Sequence, residues 1–203
     1  MGQYRASQRW ALEQEYGSIT NVVFMGMGEP LANRRSLPAS LTTLNKGYGL
    51  GARRITVSTV GFVPGIVALA RRSEQFGLAF SLHSPVSELR AELVPLERQF
   101  PLEEVLEAID DFKQDKGRKV TLEYTMIQGV NDGLDLIGPL GKIALRLNAF
   151  VNLIPFNPIP YNDWVSSKSE RIQEFAHRLK KQGVSVAVRQ TRGSDIGAAC
   201  GQL

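Results

Sequence analysis

The sequence is poor in side chains that bind metals or form crosslinks, since its 203 residues include one cysteine and two histidines, His83 and His177. A single cysteine cannot form an internal disulfide, and a zinc site or an iron–sulfur cluster needs several thiolate or imidazole ligands. The composition therefore excludes a disulfide-stabilised fold and a cysteine-ligated metal centre built by this chain alone.

Long hydrophobic runs and a strong excess of one charge are also absent. No apolar stretch approaches the roughly 18 residues of a membrane-spanning helix, and the polar start at residues 1–5 does not resemble a secretory signal. The 24 Lys and Arg against 20 Asp and Glu give a net charge of +4, which permits an anionic partner without requiring one. We expect a cytoplasmic protein that does not bind membranes.

The 43% hydrophobic fraction is sufficient for a core, and short apolar runs alternate with amphipathic helical segments. The runs are continuous rather than alternating in polarity, which is typical of parallel strands covered by helices on both faces. The predicted strands are residues 21–25, 54–58, 78–82, 120–127, 150–155 and 184–189.

Helical patterns fill the gaps between these runs. Pro101 begins and Gly117 ends one segment with a clear apolar stripe, and Ser167 with Glu170 predicts a capping box for another. The alternation predicts one α/β domain over residues 1–203, either an open sheet or a barrel. Because residues 5–16 form a helix ahead of the first strand, we expect a partial barrel that lacks its usual first strand.

Small and polar residues follow several predicted strands at their carboxyl ends, where parallel α/β sheets bind ligands. This edge predicts a site for a small polar ligand, with an amino group facing a carboxylate and hydroxyls facing serine, histidine or asparagine. These residues also have structural interpretations: a turn glycine, a solvated loop charge for Glu29, helix caps for the serines, a buried histidine and a turn-forming asparagine. The candidates are Gly28, Glu29, Ser58, Ser81, Leu82, His83 and Asn157.

Cys200 lies three residues from the end of the sequence among small residues. A lone cysteine is usually an inert buried residue, but flanking glycines and upstream arginines favour a reactive thiolate on a mobile tail. The basic residues are candidate phosphate contacts or solvated surface. They are Arg53, Arg54, Arg118, Lys119, Lys180, Lys181, Arg189 and Arg192.

Several motifs occur in a fixed order along the chain. They are NVVFMGMGEPL at 21–31, TVSTVG at 56–61, SLH at 81–83, VND at 130–132, NLIPFNP at 152–158 and TRG at 191–193, followed by Asp195 with Ile196 and by residues 198–203. Through these motifs, over about residues 18–203, the chain resembles the RlmN/Cfr family of radical S-adenosylmethionine methyltransferases, which act on adenine in large-subunit rRNA. The RlmN branch, whose members methylate carbon 2 and in some cases also act on tRNA, is the closer match.

The resemblance implies a partial (β/α) barrel of the radical SAM type that binds S-adenosylmethionine. Gly28 and Glu29 would hold the amino group of this cofactor, and the other pocket residues would be Ser58, Ser81, Leu82, His83 and Asn157. Cys200 would be the catalytic cysteine. In the family one S-adenosylmethionine methylates this sulfur, a second yields a 5′-deoxyadenosyl radical, and the S-methyl carbon is then added to adenine.

The chain departs from the family pattern in one important respect. The C-x-x-x-C-x-x-C loop that ligates a 4Fe–4S cluster, the accessory domain ahead of it and the second family cysteine are not in this sequence. No metal ligands are therefore assigned, and the cluster would come from an upstream segment or a second chain. Three interpretations of this departure are possible: the chain is a fragment, half of a split enzyme, or a non-catalytic remnant that binds the cofactor or RNA. If the resemblance is set aside, a barrel enzyme that acts on a small polar metabolite is a further interpretation.

Overall fold

The computed structural model describes residues 2–25, 28–114, 117–158 and 162–189, and in this part it contains six strands and seven α-helices. The strands are β1 Val22–Phe24, β2 Ile55–Thr59, β3 Gly77–Ser81, β4 Val120–Met126, β5 Phe150–Pro155 and β6 Val186–Val188. The helices are α1 Gly2–Glu13, α2 Ser36–Thr42, α3 Val63–Ala70, α4 Ser87–Leu93, α5 Leu102–Lys113, α6 Ile137–Arg146 and α7 Ser169–Lys181. No helix in these ranges is long and apolar enough to cross a membrane.

The six strands form one parallel sheet whose neighbours follow the chain order from β1 to β6. The predicted α/β fold and parallel sheet are confirmed, and the barrel-like sheet does not close. Each predicted strand overlaps an observed one, with ends that agree within two residues. The order matters for the site because parallel strands wound in one direction bring all their carboxyl ends to one edge.

The two faces of the sheet differ in character, contrary to the expectation that helices cover both. Sequential strands with the usual right-handed crossovers place every connecting helix on one face. On that face, alternate strand residues pack with α2, α3, α5, α6 and α7 in the main hydrophobic cluster. We call the opposite side the inner face, and its polar residues are Thr56, Ser58, Ser81, Thr121, Glu123, Thr125 and Asn152.

Helix α5 shows how sequence determines the packed face. The predicted apolar stripe is buried in full, from Leu102 to Phe112, and acidic residues occupy the first turn where the helix dipole favours them.

The predicted capping box is wrong. In the described ranges, helix α7 begins after Lys168 without a side-chain cap, and the buried hydroxyl of Ser167 has no hydrogen-bond partner. The backbone N–H of Ser167 donates to the carbonyl of Met126 at 3.3 Å, which fixes this serine against the end of β4.

Candidate functional site

Glu29 ties the loop after β1 to the end of β2. Its Oε1 accepts a hydrogen bond from the backbone N–H of Leu31 at 2.9 Å. Its Oε2 accepts from the backbone N–H of Val60 at 2.9 Å and from the Thr59 hydroxyl at 3.1 Å. A carboxylate has about four acceptor positions, so little capacity is left for the amino group of a ligand. Its neighbour Gly28 is exposed and has a φ of +86°.

Two serines of the predicted site lie on the inner face. Ser58 is in β2 and Ser81 ends β3, so neither caps a helix as the structural interpretation proposed. The Thr59 hydroxyl instead closes the turn ahead of α3, since it accepts hydrogen bonds from the backbone N–H groups of Gly61 and Phe62 at 3.0 and 3.2 Å. Among the residues that the structure describes, neither serine hydroxyl is hydrogen-bonded, so both are available to a ligand.

His83 is a buried, neutral histidine immediately after β3. Its Nδ1 accepts a hydrogen bond from the backbone N–H of Thr125 at 3.1 Å, so the ring proton is on Nε2. Burial, with a smaller contribution from the positive charge of Arg90, lowers the pKa of His83 from 6.5 to about 3. The imidazole therefore stays uncharged at physiological pH and can offer a ligand a neutral N–H donor.

The low pKa of His83 predicts a pH-dependent stability. Between pH 3 and 6.5 the unfolded chain binds a proton at His83 that the folded chain does not. The contribution of neutral His83 to the unfolding free energy is therefore fully present above pH 6.5 and is lost on acidification. The test is His83→Asn, because asparagine tolerates the positive φ of 55° and keeps a hydrogen-bond acceptor. Between pH 7.5 and 5.0 the unfolding free energy of the wild type is expected to fall by about 2 kcal/mol more than that of this variant. Urea unfolding at both pH values measures this.

The matched control is His177→Asn, because His177 is exposed on α7. This variant is expected to keep the wild-type difference in unfolding free energy between the two pH values. An unchanged difference for His83→Asn would contradict the assignment.

A buried guanidinium that the sequence analysis missed organises the carboxyl ends of β2 and β3. Arg90 in α4 is fully buried and donates to the carbonyls of Val60 at 2.6 Å and Leu82 at 3.1 Å, with a longer bond of 3.3 Å to that of Ser81. It also forms a buried ion pair with Glu97. Burial lowers the pKa of Arg90, which the Glu97 carboxylate opposes. Nothing in the sequence pattern distinguishes these residues from surface charges.

Asn131, part of the VND motif, fixes the other side of His83. Its Nδ2 donates to the carbonyls of His83 and Thr125 at 2.8 and 2.7 Å, and its Oδ1 accepts from the backbone N–H of Ile127 at 2.7 Å. The Tyr124 hydroxyl donates to the Asn131 carbonyl at 2.8 Å. The side chain is completely buried, so Asn131 holds the loop after β4 rather than contacting a ligand.

The remaining predicted site residues have different positions. Leu82 is fully buried in the main hydrophobic cluster, with its N–H and carbonyl in hydrogen bonds to Glu123 and Arg90, so its side chain does not line the inner face. Asn157 is buried just after β5, at the same edge as the other candidates. Cys200 lies outside the described residues.

The candidate phosphate contacts are mostly at the opposite edge. Arg118 is buried, and its guanidinium donates to the carbonyls of Ala70, Phe112, Arg72 and Glu74, so its role is structural. The exposed residues Arg53 and Arg54 precede β2, Lys119 precedes β4, and Lys180 and Lys181 end α7. Arg189 is at the carboxyl end of β6, whereas Arg192 lies outside the described residues.

The iron–sulfur cluster that the resemblance implies does not fit this chain. One cysteine cannot supply three thiolates, and the described residues contain no group of three His, Cys, Asp or Glu arranged to hold a metal. A groove of about 710 Å³ runs between α1 and Tyr48, but none of the predicted site residues lines it. The strand edge, where the predicted site residues lie, is therefore the candidate site.

Comparison with known sequences identifies the superfamily. The model of the Radical SAM superfamily matches residues 8–135. A probable dual-specificity RNA methyltransferase RlmN from Gemmatimonas aurantiaca is 48% identical over 186 residues, which cover 91% of this chain and 51% of that protein. Another from Thermobifida fusca is 46% identical over 191 residues, with coverages of 92% and 52%. The chain thus spans about half the length of these curated relatives.

Solved structures give the same result. A radical SAM methyltransferase from Sphaerobacter thermophilus superposes with a TM-score of 0.91 at 44% identity, over 97% of this chain and 58% of that one. A domain of a pyruvate-formate lyase-activating enzyme from Bacteroides vulgatus shares the fold. It is 18% identical, with a TM-score of 0.64, over 85% of this chain and 100% of that one. The resemblance to RlmN proteins is confirmed, and with an unclosed parallel barrel and a superfamily match over more than half its length, the chain belongs to the radical SAM superfamily.

Proposed function

We propose that this chain is the S-adenosylmethionine-binding core of a cytoplasmic RNA methyltransferase that modifies carbon 2 of adenine in large-subunit rRNA and in tRNA. The observation that carries the proposal is the similarity to the Sphaerobacter thermophilus radical SAM methyltransferase, at 44% identity and a TM-score of 0.91. The similarity to probable RlmN proteins supports RNA as the substrate class.

The residues at the strand edge fit S-adenosylmethionine. The hydroxyls of Ser58 and Ser81, which have no partner within the described part of the chain, and the neutral imidazole of His83 are able to hydrogen-bond to ribose and adenine. Gly28, Glu29 and the main chain around Leu82 complete the proposed pocket with Asn157. When bound, this cofactor supplies the methyl group and the adenosyl group from which radical SAM enzymes obtain their reactivity.

The protein's own contribution is to hold these groups rigidly. Arg90 and Asn131 fix the main chain on both sides of His83, so the proposed pocket residues are positioned by buried hydrogen bonds. Cys200 is the proposed carrier of the transferred methyl group, because a thiolate is the strongest nucleophile among the ordinary side chains.

The chain is proposed to form a single domain. Among the described residues, helices α2 to α7 are connected through the main hydrophobic cluster and a smaller cluster of Leu93, Val94, Ile127 and Phe156, which supports the proposal of one domain over residues 1–203. The accessory domain and the cluster ligands of the family are then provided by sequence outside these 203 residues, in the same polypeptide or in another.

Titration calorimetry with S-adenosylmethionine tests the proposal. We expect weak binding to this chain, because the hydroxyl and imidazole groups are present, whereas this chain lacks the ligands for the iron–sulfur cluster that would add to cofactor binding in the family. We expect Glu29→Ala to weaken binding further, because the loop after β1 loses its bonds to Thr59 and Val60.

Glu88→Ala is the matched control, since Glu88 is exposed on α4. Its affinity is expected to equal that of the wild type. Equal affinities of wild type and Glu29→Ala would remove Glu29 from the pocket, and no binding to the wild type would contradict the proposed function.

A further inference from the structure

Glu123 is a buried carboxylate on the inner face that the proposed function does not use. It lies within β4 and is 4% exposed. Its Oε1 accepts a hydrogen bond from Asn152 Nδ2 at 3.0 Å, whereas its buried Oε2 has no hydrogen-bond partner among the residues that the structure describes. A buried carboxylate oxygen without a donor destabilises the folded state, so its retention in the strand needs an explanation.

The register of the sheet places Glu123 next to a residue of the proposed pocket. Ser81 in β3 pairs with Glu123, which in turn pairs with Asn152 in β5. Since paired residues on neighbouring strands have their side chains on the same face about 4.8 Å apart, the three form one row on the inner face. A ligand that binds the Ser81 hydroxyl is therefore within reach of Glu123.

Arg189 lies near Glu123 Oε2 but does not donate a hydrogen bond to it. Its guanidinium nitrogen is 3.7 Å from Glu123 Oε2, which is too far for a hydrogen bond, and the side chain is 40% exposed. Arg189 therefore moderates the negative charge while the lone pairs of Oε2 remain available to another donor.

The electrostatics indicate that the carboxylate is kept at the expense of stability. Burial raises the pKa of Glu123, and the Asn152 hydrogen bond and the Arg189 charge act in the opposite direction. A group with a raised pKa destabilises the folded protein as the pH rises through that pKa. Buried acids of this kind are typical of binding sites.

We propose that Glu123 binds the ribose hydroxyls of the adenosyl ligand, with Oε2 accepting from the 2′,3′-diol and Asn152 fixing the carboxylate. The inference rests on the proposed function, because it places the ligand over Ser81. A carboxylate suits this donor because it can accept hydrogen bonds from both hydroxyls, as acidic residues do for ribose in dinucleotide-binding folds. RNA also contains ribose, so the experiment includes both ligands.

The test is equilibrium dialysis of the 203-residue chain with S-adenosylhomocysteine and with its 2′-deoxy and 3′-deoxy analogues. Glu123→Gln is expected to bind S-adenosylhomocysteine about tenfold more weakly than the wild type or worse, because a hydrogen bond to a charged group is lost. The difference in affinity between the two proteins is expected to be smaller for each deoxy analogue than for S-adenosylhomocysteine, because one of the two hydroxyls that donate to the carboxylate is missing. Glu107→Gln, on the exposed side of α5, is the matched control and is expected to bind like the wild type.

Thermal unfolding at pH 8 separates binding from structure. Glu123→Gln removes a buried charge without changing the side-chain shape, so its Tm is expected to equal or exceed that of the wild type. A lower Tm with unchanged ligand discrimination would indicate a structural role and overturn the inference.

The outcomes distinguish the inference from the function on which it rests. Failure of the wild type to bind S-adenosylhomocysteine would overturn both. Equal binding of this ligand by wild type and Glu123→Gln would overturn the inference alone. The same follows if Glu123→Gln instead weakens binding of a short oligoribonucleotide and leaves S-adenosylhomocysteine unaffected.

Discussion

Replacing Arg90 with methionine is expected to destabilise the protein by about 3–5 kcal/mol, because the Glu97 carboxylate would remain buried without its counter-ion. The substitution also removes the donor to the carbonyls of Val60, Ser81 and Leu82. Glu97 would keep one hydrogen bond, from the backbone N–H of Leu102 at 2.8 Å. Urea denaturation of the wild type and the variant measures the difference.

Two further variants test the cause of this loss. Arg98→Met, at an exposed position in the same region, is expected to change stability by no more than about 0.5 kcal/mol. Arg90→Met combined with Glu97→Gln is expected to be more stable than Arg90→Met alone, since the unpaired charge is removed. A cost below about 1 kcal/mol for Arg90→Met would show that the pair is not the central contact described above.

RNA methylation is expected to depend completely on Cys200 once the rest of the enzyme is supplied. The amino-terminal half of an RlmN relative, with its cluster ligands, would be joined to this chain or co-expressed with it. Cys200→Ser is expected to retain S-adenosylmethionine binding but to give no methylated RNA, because a serine hydroxyl is a far weaker nucleophile than a thiolate at neutral pH. Mass spectrometry of the RNA and of the protein provides the readout.

The controls for this experiment are Cys200→Ala and Gln202→Ala. The alanine variant at position 200 is expected to be as inactive as the serine variant, and Gln202→Ala is expected to stay active. A methyl group on Cys200 in the wild type would support the proposal. Methylated RNA produced by Cys200→Ala would refute it, and methylation absent from the wild type would favour a non-catalytic binding module.

The strands and their common edge were predictable because both follow from local sequence. A buried strand such as Phe150–Pro155 is a continuous apolar run, and parallel strands necessarily share a carboxyl edge. The winding of the helices onto one face was not predictable, because the periodicity of a strand does not tell which strand is its neighbour.

The residues that the sequence pattern left out or placed on the surface are charged groups that tertiary structure buries. Arg90 and Arg118 occur in segments whose polar residues otherwise face solvent, so their sequence context resembles a surface. Glu123 had a signal that was available, since it is the one acid within the predicted strand at 120–127. A charge inside a strand predicted to be buried is uncommon enough to indicate a candidate site.

The unequal lengths of the strand pairings indicate which strands separate from the sheet most easily. The pair β4–β5 shares six residue pairs, whereas β1 shares three with β2 and β6 shares three with β5. Backbone amides of β4 are therefore expected to exchange with solvent only on global unfolding, and those of β1 and β6 through opening of the end strands. Each end of the sheet can then detach and re-form while the central strands, which carry Ser81, Glu123 and Asn152, stay in register.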